Sequence, residues 1–466
     1  MPSYDYDLAV LGSGPAGSMA AVEGGRRGKR VALIERARDL GGAGINTGTL
    51  PSKTLRESAL HLSGFDQRGL DGVDLGLSRE QISVAQFLAR ERHVIENELA
   101  LLTDLLHSLG VVTLRGSASF LDAHTLALDG ERRVTAEKIL IATGSRPRHP
   151  PGFPFEDPDV VDSDTILELE RIPDTLTVVG GGVIGCEYAS VFACLGVKVT
   201  LLESHPRLMG FLDDEVYALL ERRFRAMGIE LLFEDEVLRV VDVPGPGVAV
   251  ETRAGKRFAA GKLLVAAGRE SNVEGLGLEK IGVEVDARGR IQVDANFQTR
   301  VPGVYAAGDL LGFPALASTG MEQGRLAVCH AFGDAQACMR YETLPYGLYT
   351  IPEVGYVGLS EEQCRAQKLD YLVGRAHYRD NARGQIVGDL DGLLKLIFRP
   401  ADRVLLGVHV LGEKATELVH LGQMVMQLRG TLETLAHTVF NFPTLSVLYK
   451  RAAFDGLATL ERRVRA

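Results

Sequence analysis

The chain has 466 residues, enough for roughly three domains of about 150 residues each. A hydrophobic fraction of 45% is that of a folded globular protein and excludes a disordered one. A net charge of −10 and a pI near 5.7 exclude a global basic field that would gather nucleic acid or anionic lipid. No stretch approaches the roughly 20 apolar residues of a membrane span, and the apolar run 8–11 is too short for a signal peptide. The five cysteines form no C-x-x-C pair, and their odd number argues against a secreted disulfide framework, so a cytoplasmic protein is expected.

Residues 7–17 read as a short apolar strand, a glycine-rich turn and the start of a helix. Gly12, Gly14 and Gly17 fit G-x-G-x-x-G, and Glu35 closes the next apolar strand, 31–35. Further on, residues 126–128, a turn at Asp129-Gly130 and residues 132–135 predict a hairpin. A buried strand from Lys138 then ends in Ala142-Thr143-Gly144. Adding 168 to the fingerprint numbers gives Gly180, Gly182 and Gly185 in the same pattern, and Glu203 closing a strand over 199–203. The helix-ending Gly28 has its counterpart at Gly196. Residues 248–252, a turn at Ala254-Gly255 and a strand from Lys262 to Gly268 echo the later part of the first half. One fingerprint is weak evidence. Two in one register are strong, because plain βαβ packing has no need of the terminal acids.

The pattern suits a dinucleotide's diphosphate. The first glycine permits the turn, the second lets backbone approach the pyrophosphate, and the third lets helix and strand pack closely. The helix N-terminus then offers free N–H groups, and the acid accepts hydrogen bonds from ribose hydroxyls. From Glu35 to Gly144 is 109 residues, against 65 from Glu203 to Gly268, so the first half carries an insertion of 44. Insertions of that size usually hold function.

The insertion opens with residues 41–53, whose Gly41-Gly42 pair and Leu50-Pro51-Ser52-Lys53 run resemble the active-site segment of the pyridine nucleotide-disulfide oxidoreductases. Both fingerprints, the Ala142–Pro147 loop, the 299–309 segment ending in Gly308-Asp309 and the 349–362 segment extend the resemblance over nearly the whole chain. It implies an α/β fold of two tandem Rossmann-like dinucleotide-binding domains plus an α+β C-terminal dimerisation domain. The expected division is 1–150 (continued by 272–341) for FAD, 151–271 for NAD(P), and 342–466 for a homodimer interface. The implied FAD set is Gly12, Gly14, Gly17, Glu35, Gly42, Thr49, Lys53, Ala118, Thr143, Gly144, Gly308, Asp309 and Ala317. The implied NAD(P) set is Gly180, Gly182, Gly185, Glu203, Arg207 and Gly268. Lys53 and Glu187 would pair beside the flavin as the catalytic residues. No metal site is expected.

The resemblance breaks where the family does thiol chemistry. Its C-x-x-x-x-C pair falls on Gly44 and Thr49, neither of which can form a thiolate. Its C-terminal His-Pro-Thr segment reads Phe442-Pro443-Thr444, with Val447 at the position of the orienting glutamate. Phenylalanine transfers no proton. His437 is expected to be an ordinary loop or helix residue. Within the family the chain is most similar to the soluble pyridine nucleotide transhydrogenases, which share the 46–57 run, the 440–444 segment and the 382–388 run. That likeness implies hydride transfer between NAD(H) and NADP(H) through FAD. Glu203 favours NAD(H), whereas Arg207 would reach a 2′-phosphate or serve the surface. Two other readings stay open: an FAD-dependent NAD(P)H dehydrogenase of quinone or diaphorase type, and a nucleotide-binding redox sensor without catalysis.

Overall fold

Along the strand Tyr6–Leu11, Leu8 and Val10 enter one core with Leu33, Leu140 and Leu326, while Ala9 and Leu11 enter another with Ile34, Ile139 and Phe120. A strand buried on both faces reads as a continuous apolar run, which is why polar alternation is missing here. The computed structural model describes residues 4–65, 76–243, 246–334 and 338–465. The chain divides into two compact units.

The first unit comprises Met1–Thr54, Leu88–Arg148 and Ala267–Met339. Its sheet runs Val112–Arg115, Val31–Glu35, Tyr6–Leu11, Arg132–Ile141, and Val304–Ala306 pairs with that last strand, all parallel. Thr125–Leu128 and Ala118–Asp122 continue the sheet antiparallel. The predicted hairpin is present: Leu128 pairs with Arg132, and Asp129 (φ 52°) and Gly130 (φ 78°) make the turn. The helix Pro15–Arg26 packs on Ala317–Ala331 so closely that a Cβ on Gly324 would lie 2.1 Å from the Ala16 carbonyl oxygen. The inserted length of the first half folds chiefly as the helices Thr49–Leu62 and Val84–Ser108.

The second unit comprises Leu55–Phe87, His149–Ala266 and Arg340–Ala466. It holds an all-parallel sheet in the order Glu230–Phe233, Lys198–Glu203, Thr175–Val179, Lys262–Val265, Val160–Val161. Here the repeat departs from its first copy. In the first half Arg132–Ile141 serves hairpin and parallel sheet as one strand, whereas the second half uses Arg257–Ala260 for the hairpin and Lys262–Val265 for the sheet. Gly261 separates the two, its N–H donating to Thr175 Oγ1 at 2.8 Å. The unit also contains an antiparallel sheet ordered Pro345–Leu348, Val354–Gly358, Leu405–Leu411, Leu393–Phe398, Leu372–His377. The helices Ala415–Gln427 and Val447–Arg465 supply Val419, Leu448, Tyr449 and Ala452 to its core.

Candidate functional site

The two glycine-rich turns are the same object built twice. Gly12 has φ 96° and Gly180 φ 107°, values that an L side chain rarely adopts. A Cβ on Gly17 would sit 1.8 Å from the Gly12 carbonyl oxygen, and one on Gly185 would sit 1.9 Å from that of Gly180. Close approach of helix to turn therefore demands glycine at both third positions. The middle glycines differ in kind: around Gly14 and Gly182 a Cβ would meet nothing within 4 Å. Each is the N-cap of its helix, extended in backbone, with no side chain capping the first turn. An open cradle in front of helix N–H groups is what a diphosphate requires, so the residues present fit one dinucleotide at each turn.

The terminal acids are tied into these turns. Glu35 Oε2 accepts from Ser13 N at 2.8 Å and Ser13 Oγ at 2.7 Å, and its Oε1 accepts from Ala37 N at 2.8 Å. Glu203 repeats this with Gly181 N at 2.6 Å and His205 N at 2.8 Å. The acids thus shape the loop. Only the second copy adds an imidazole, His205 Nδ1, at 2.6 Å from Glu203 Oε1. Burial pushes the Glu203 carboxyl up, yet its bonds with His205, Gly181 and Ser204 bring it below the usual carboxylate range. Glu203 is therefore ionised at neutral pH, beside a histidine whose side chain is 79% exposed. His205 was not singled out in the sequence. The signal was there, since subtracting 168 gives Ala37, the same backbone with no side chain to contribute.

Arg207, the candidate for a 2′-phosphate, is engaged within its own loop. Its guanidinium meets Asp214, donates to Leu212 O at 3.0 Å, and lies 4.2 Å over the Tyr217 ring. That is a loop-bracing role.

In the first unit the Thr143-Gly144 turn is clamped by Asn272. Thr143 Oγ1 donates to Asn272 O at 2.7 Å, Asn272 Nδ2 donates to Thr143 O at 2.9 Å, and Asn272 N donates to Gly144 O at 2.9 Å. Gly144 (φ 66°) and Gly268 (φ 97°) both leave open space where a side chain would be. Asp309 follows Gly308, whose N–H donates to Gln323 Oε1 at 2.9 Å. Its carboxylate accepts from Ser145 Oγ at 2.7 Å, and that hydroxyl accepts from Arg269 Nε at 2.8 Å. Sequence inspection missed this Arg269–Ser145–Asp309 relay, because its members lie 124 and 164 residues apart. Ala118 sits at the start of the strand Ala118–Asp122 and Ala317 at the start of its helix. If Asp309 holds a ribityl hydroxyl, Ser145→Ala should leave the carboxylate misoriented and weaken flavin retention by about tenfold, the worth of one charge-assisted bond. Ultrafiltration followed by flavin absorbance checks this.

The 41–53 segment folds against the first turn. Gly42 (φ 53°) brings its backbone so near that a Cβ would lie 2.8 Å from Gly14 Cα. At Gly44 a Cβ would lie 2.6 Å from Pro15 Cγ, so a cysteine there would have to displace the fingerprint proline. Thr49 opens the helix that carries Lys53, whose Nζ donates to Ser52 Oγ at 3.3 Å. In the second unit Glu187 is 5% exposed, and its Oε1 accepts from Tyr349 N at 2.9 Å. Phe442 is 70% exposed and Val439 90%. His437 ends the helix Leu432–His437.

Residues 6–324 match the pyridine nucleotide-disulphide oxidoreductase family, and residues 344–453 match that family's dimerisation domain. A soluble pyridine nucleotide transhydrogenase of Mycobacterium bovis is 46% identical over 456 residues, 97% of each chain. One of Erwinia tasmaniensis is 40% identical over 98% of this chain and 99% of its own. Among solved structures, LpdA of Mycobacterium tuberculosis superposes with a TM-score of 0.89 at 29% identity, covering 98% of this chain and 99% of that one. The HOCl-induced flavoprotein disulfide reductase RclA of Escherichia coli gives 0.87 at 26% identity, over 96% and 99%. Two fitted dinucleotide turns, a matched C-terminal domain and relatives over the full length converge: the chain belongs to the pyridine nucleotide-disulphide oxidoreductase family, as a homo-oligomer-forming member.

Proposed function

We propose that the protein is a pyridine nucleotide transhydrogenase that moves hydride between NAD(H) and NADP(H) through bound FAD. One observation carries the reading: both dinucleotide turns are intact, while the positions of the thiol pair and of the acid-base histidine hold Gly44, Thr49 and Phe442. The names of the full-length relatives support it. FAD supplies the hydride acceptor and donor, which the protein must bind, orient and keep from water.

Residues 1–150 with 272–341 would hold FAD, through the turn at Gly12, Gly14 and Gly17, through Glu35, and through Asp309 and its relay. Residues 151–271 would hold either nicotinamide nucleotide on the turn at Gly180, Gly182 and Gly185. Lys53 would supply a positive charge next to the flavin ring, where charge grows on reduction, and Glu187 is the second residue proposed as catalytic. Glu203 takes the adenosine ribose. With no thiol in the cycle, one nucleotide must leave before the other enters, so the kinetics are ping-pong. Transfer from NADPH to thio-NAD⁺ with parallel-line initial-rate plots is the expected result. Lipoamide and glutathione disulfide should not be turned over. Absence of transfer beside brisk quinone reduction by NADH would replace this reading with that of a dehydrogenase.

A cytosolic location belongs to this proposal; among the described residues no helix is long and apolar enough to cross a membrane. Residues 342–466 would form a homodimer through their exposed apolar surface, which includes Val439 and Phe442. Introducing aspartate at both positions should convert the dimer to monomer in sedimentation, because two charges would have to be desolvated at the interface.

A further inference from the structure

The segment that follows Glu203 is tied in its middle and at its far end. Met209 N donates to Gly181 O at 2.9 Å, within the second dinucleotide turn. At the far end stands Asp213, fully buried, which caps the helix Asp214–Ala226 by accepting from Glu215 N at 3.1 Å. The same Oδ1 accepts from Lys395 Nζ at 2.7 Å, and Lys395 lies in the middle of the C-terminal strand Leu393–Phe398, 1% exposed. Lys395 also meets Glu361 Oε1 at 2.6 Å and Glu215 Oε2 at 3.1 Å. Arg375 bridges Glu215 at 2.9 Å and Glu361 at 3.5 Å, and Glu361 N donates to Asp213 Oδ2 at 3.3 Å.

Burial disfavours charge at Asp213, Glu361 and Lys395. His409 and the lysine with its hydrogen bonds nevertheless hold Asp213 below the usual carboxylate range, the lysine does the same for Glu361, and the carboxylates hold Lys395 above its own. Buried His409 is pushed down by burial. Two cations thus face three carboxylates, with Lys395 and Asp213 fully buried and Arg375 and Glu215 partly exposed. Such a cluster is seldom more stable than apolar side chains of the same shape, but it is short-ranged and directional. It specifies where Asp213 sits. The first repeat offers a contrast, since the position 168 before Asp213 is Ile45, which cannot be held this way.

We infer that Lys395 is a positioning residue for the nicotinamide-nucleotide site, fixing residues 204–213, and with them Glu203 and His205, from the C-terminal sheet. The inference rests on reading the Gly180 turn as a dinucleotide site. It is tested on the FAD-loaded protein with Lys395→Met and Asp213→Asn. Asparagine caps a helix as well as aspartate does, and in that variant Lys395 keeps Glu215 and Glu361 as partners. Hydrogen exchange is measured across residues 204–213 and 36–45, and flavin reduction is measured with NADH and NADPH separately.

In both variants exchange at 204–213 should quicken by about tenfold while 36–45 stays as in the wild type. KM for both nucleotides should rise by about tenfold, with kcat and flavin absorbance within about twofold, because the loop binds but does not react. Unchanged exchange at 204–213 and unchanged KM in folded, yellow variants would overturn the inference. So would faster exchange spread evenly over the chain. If Lys395→Met does not fold, Asp213→Asn decides alone. Faster exchange at 204–213 in a protein that neither nucleotide reduces would uphold the positioning role and reject the nucleotide reading.

Discussion

Gly17→Ala should yield a protein without flavin, and Gly185→Ala a yellow protein that NADH cannot reduce. The new methyl carbon would lie 1.8 Å from the Gly12 oxygen in the first case and 1.9 Å from the Gly180 oxygen in the second. Both obstacles are backbone, so no rotamer relieves them, and turn and helix must separate. Forced separation in a close-packed region costs about 3 kcal/mol, before any loss of ligand. Because FAD stabilises whatever fold it binds, Gly17→Ala should also lose much of the holoenzyme's thermal stability. Gly14→Ala completes the argument. Its methyl enters open space, at a cost of about 1 kcal/mol for a poorer cap, so the chain should fold and yet bind FAD weakly. Flavin-to-protein absorbance and melting temperatures separate the three variants. A yellow, NADH-reducible Gly17→Ala protein would show that the first turn is not the flavin site.

The second large effect concerns nucleotide choice. Glu203→Gln should improve NADP(H) use relative to NAD(H) by about tenfold to a hundredfold, the equivalent of roughly 1–3 kcal/mol between a carboxylate and a phosphate dianion. Glutamine keeps one oxygen, for the Gly181 or the His205 amide but not for both, so the variant removes the charge with one of the turn's two bonds. Glu203→Ala removes both and should also weaken NAD(H) use. His205→Ala should act in the opposite direction, because it strips the carboxylate of its 2.6 Å partner. Use of NADPH should then fall by about fivefold, as befits an exposed pair, with NADH little changed. Arg207→Ala should affect both nucleotides alike, since its partners are Asp214, Leu212 and Tyr217. Ratios of kcat/KM for the two reductants decide each case. Equal ratios in Glu203→Gln and the wild type would remove Glu203 from specificity.

What was legible in the sequence was local. Two glycine patterns and two acids, each within about thirty residues of chain, encode turns whose geometry depends on near neighbours. The hairpin over 125–135 was legible for the same reason, since Asp129-Gly130 favours the positive φ it adopts. The Gly261 break was not, because residues 257–265 carry no turn signal as strong as their tie to Thr175. Nor was the role of Lys395. A lysine within an apolar strand reads as an outward-facing residue, and its partner Asp213 is 182 positions away. The Ser145–Asp309 bond failed to show for the same reason. His205 lay between these extremes, visible only as a difference between two copies of one loop.

The doubled turn also creates a sorting problem during assembly. FAD and the nicotinamide nucleotides share one half, adenosine diphosphate, and on the proposed assignment Gly12–Gly17 and Gly180–Gly185 would present it with nearly the same backbone. A newly made chain would then have two similar stations for a common fragment. Discrimination falls to the unshared halves, the isoalloxazine and the nicotinamide, and to the 44 residues by which one copy outgrew the other. Free ADP would compete at both stations, slowing flavin loading in the apoprotein and nucleotide turnover in the finished enzyme.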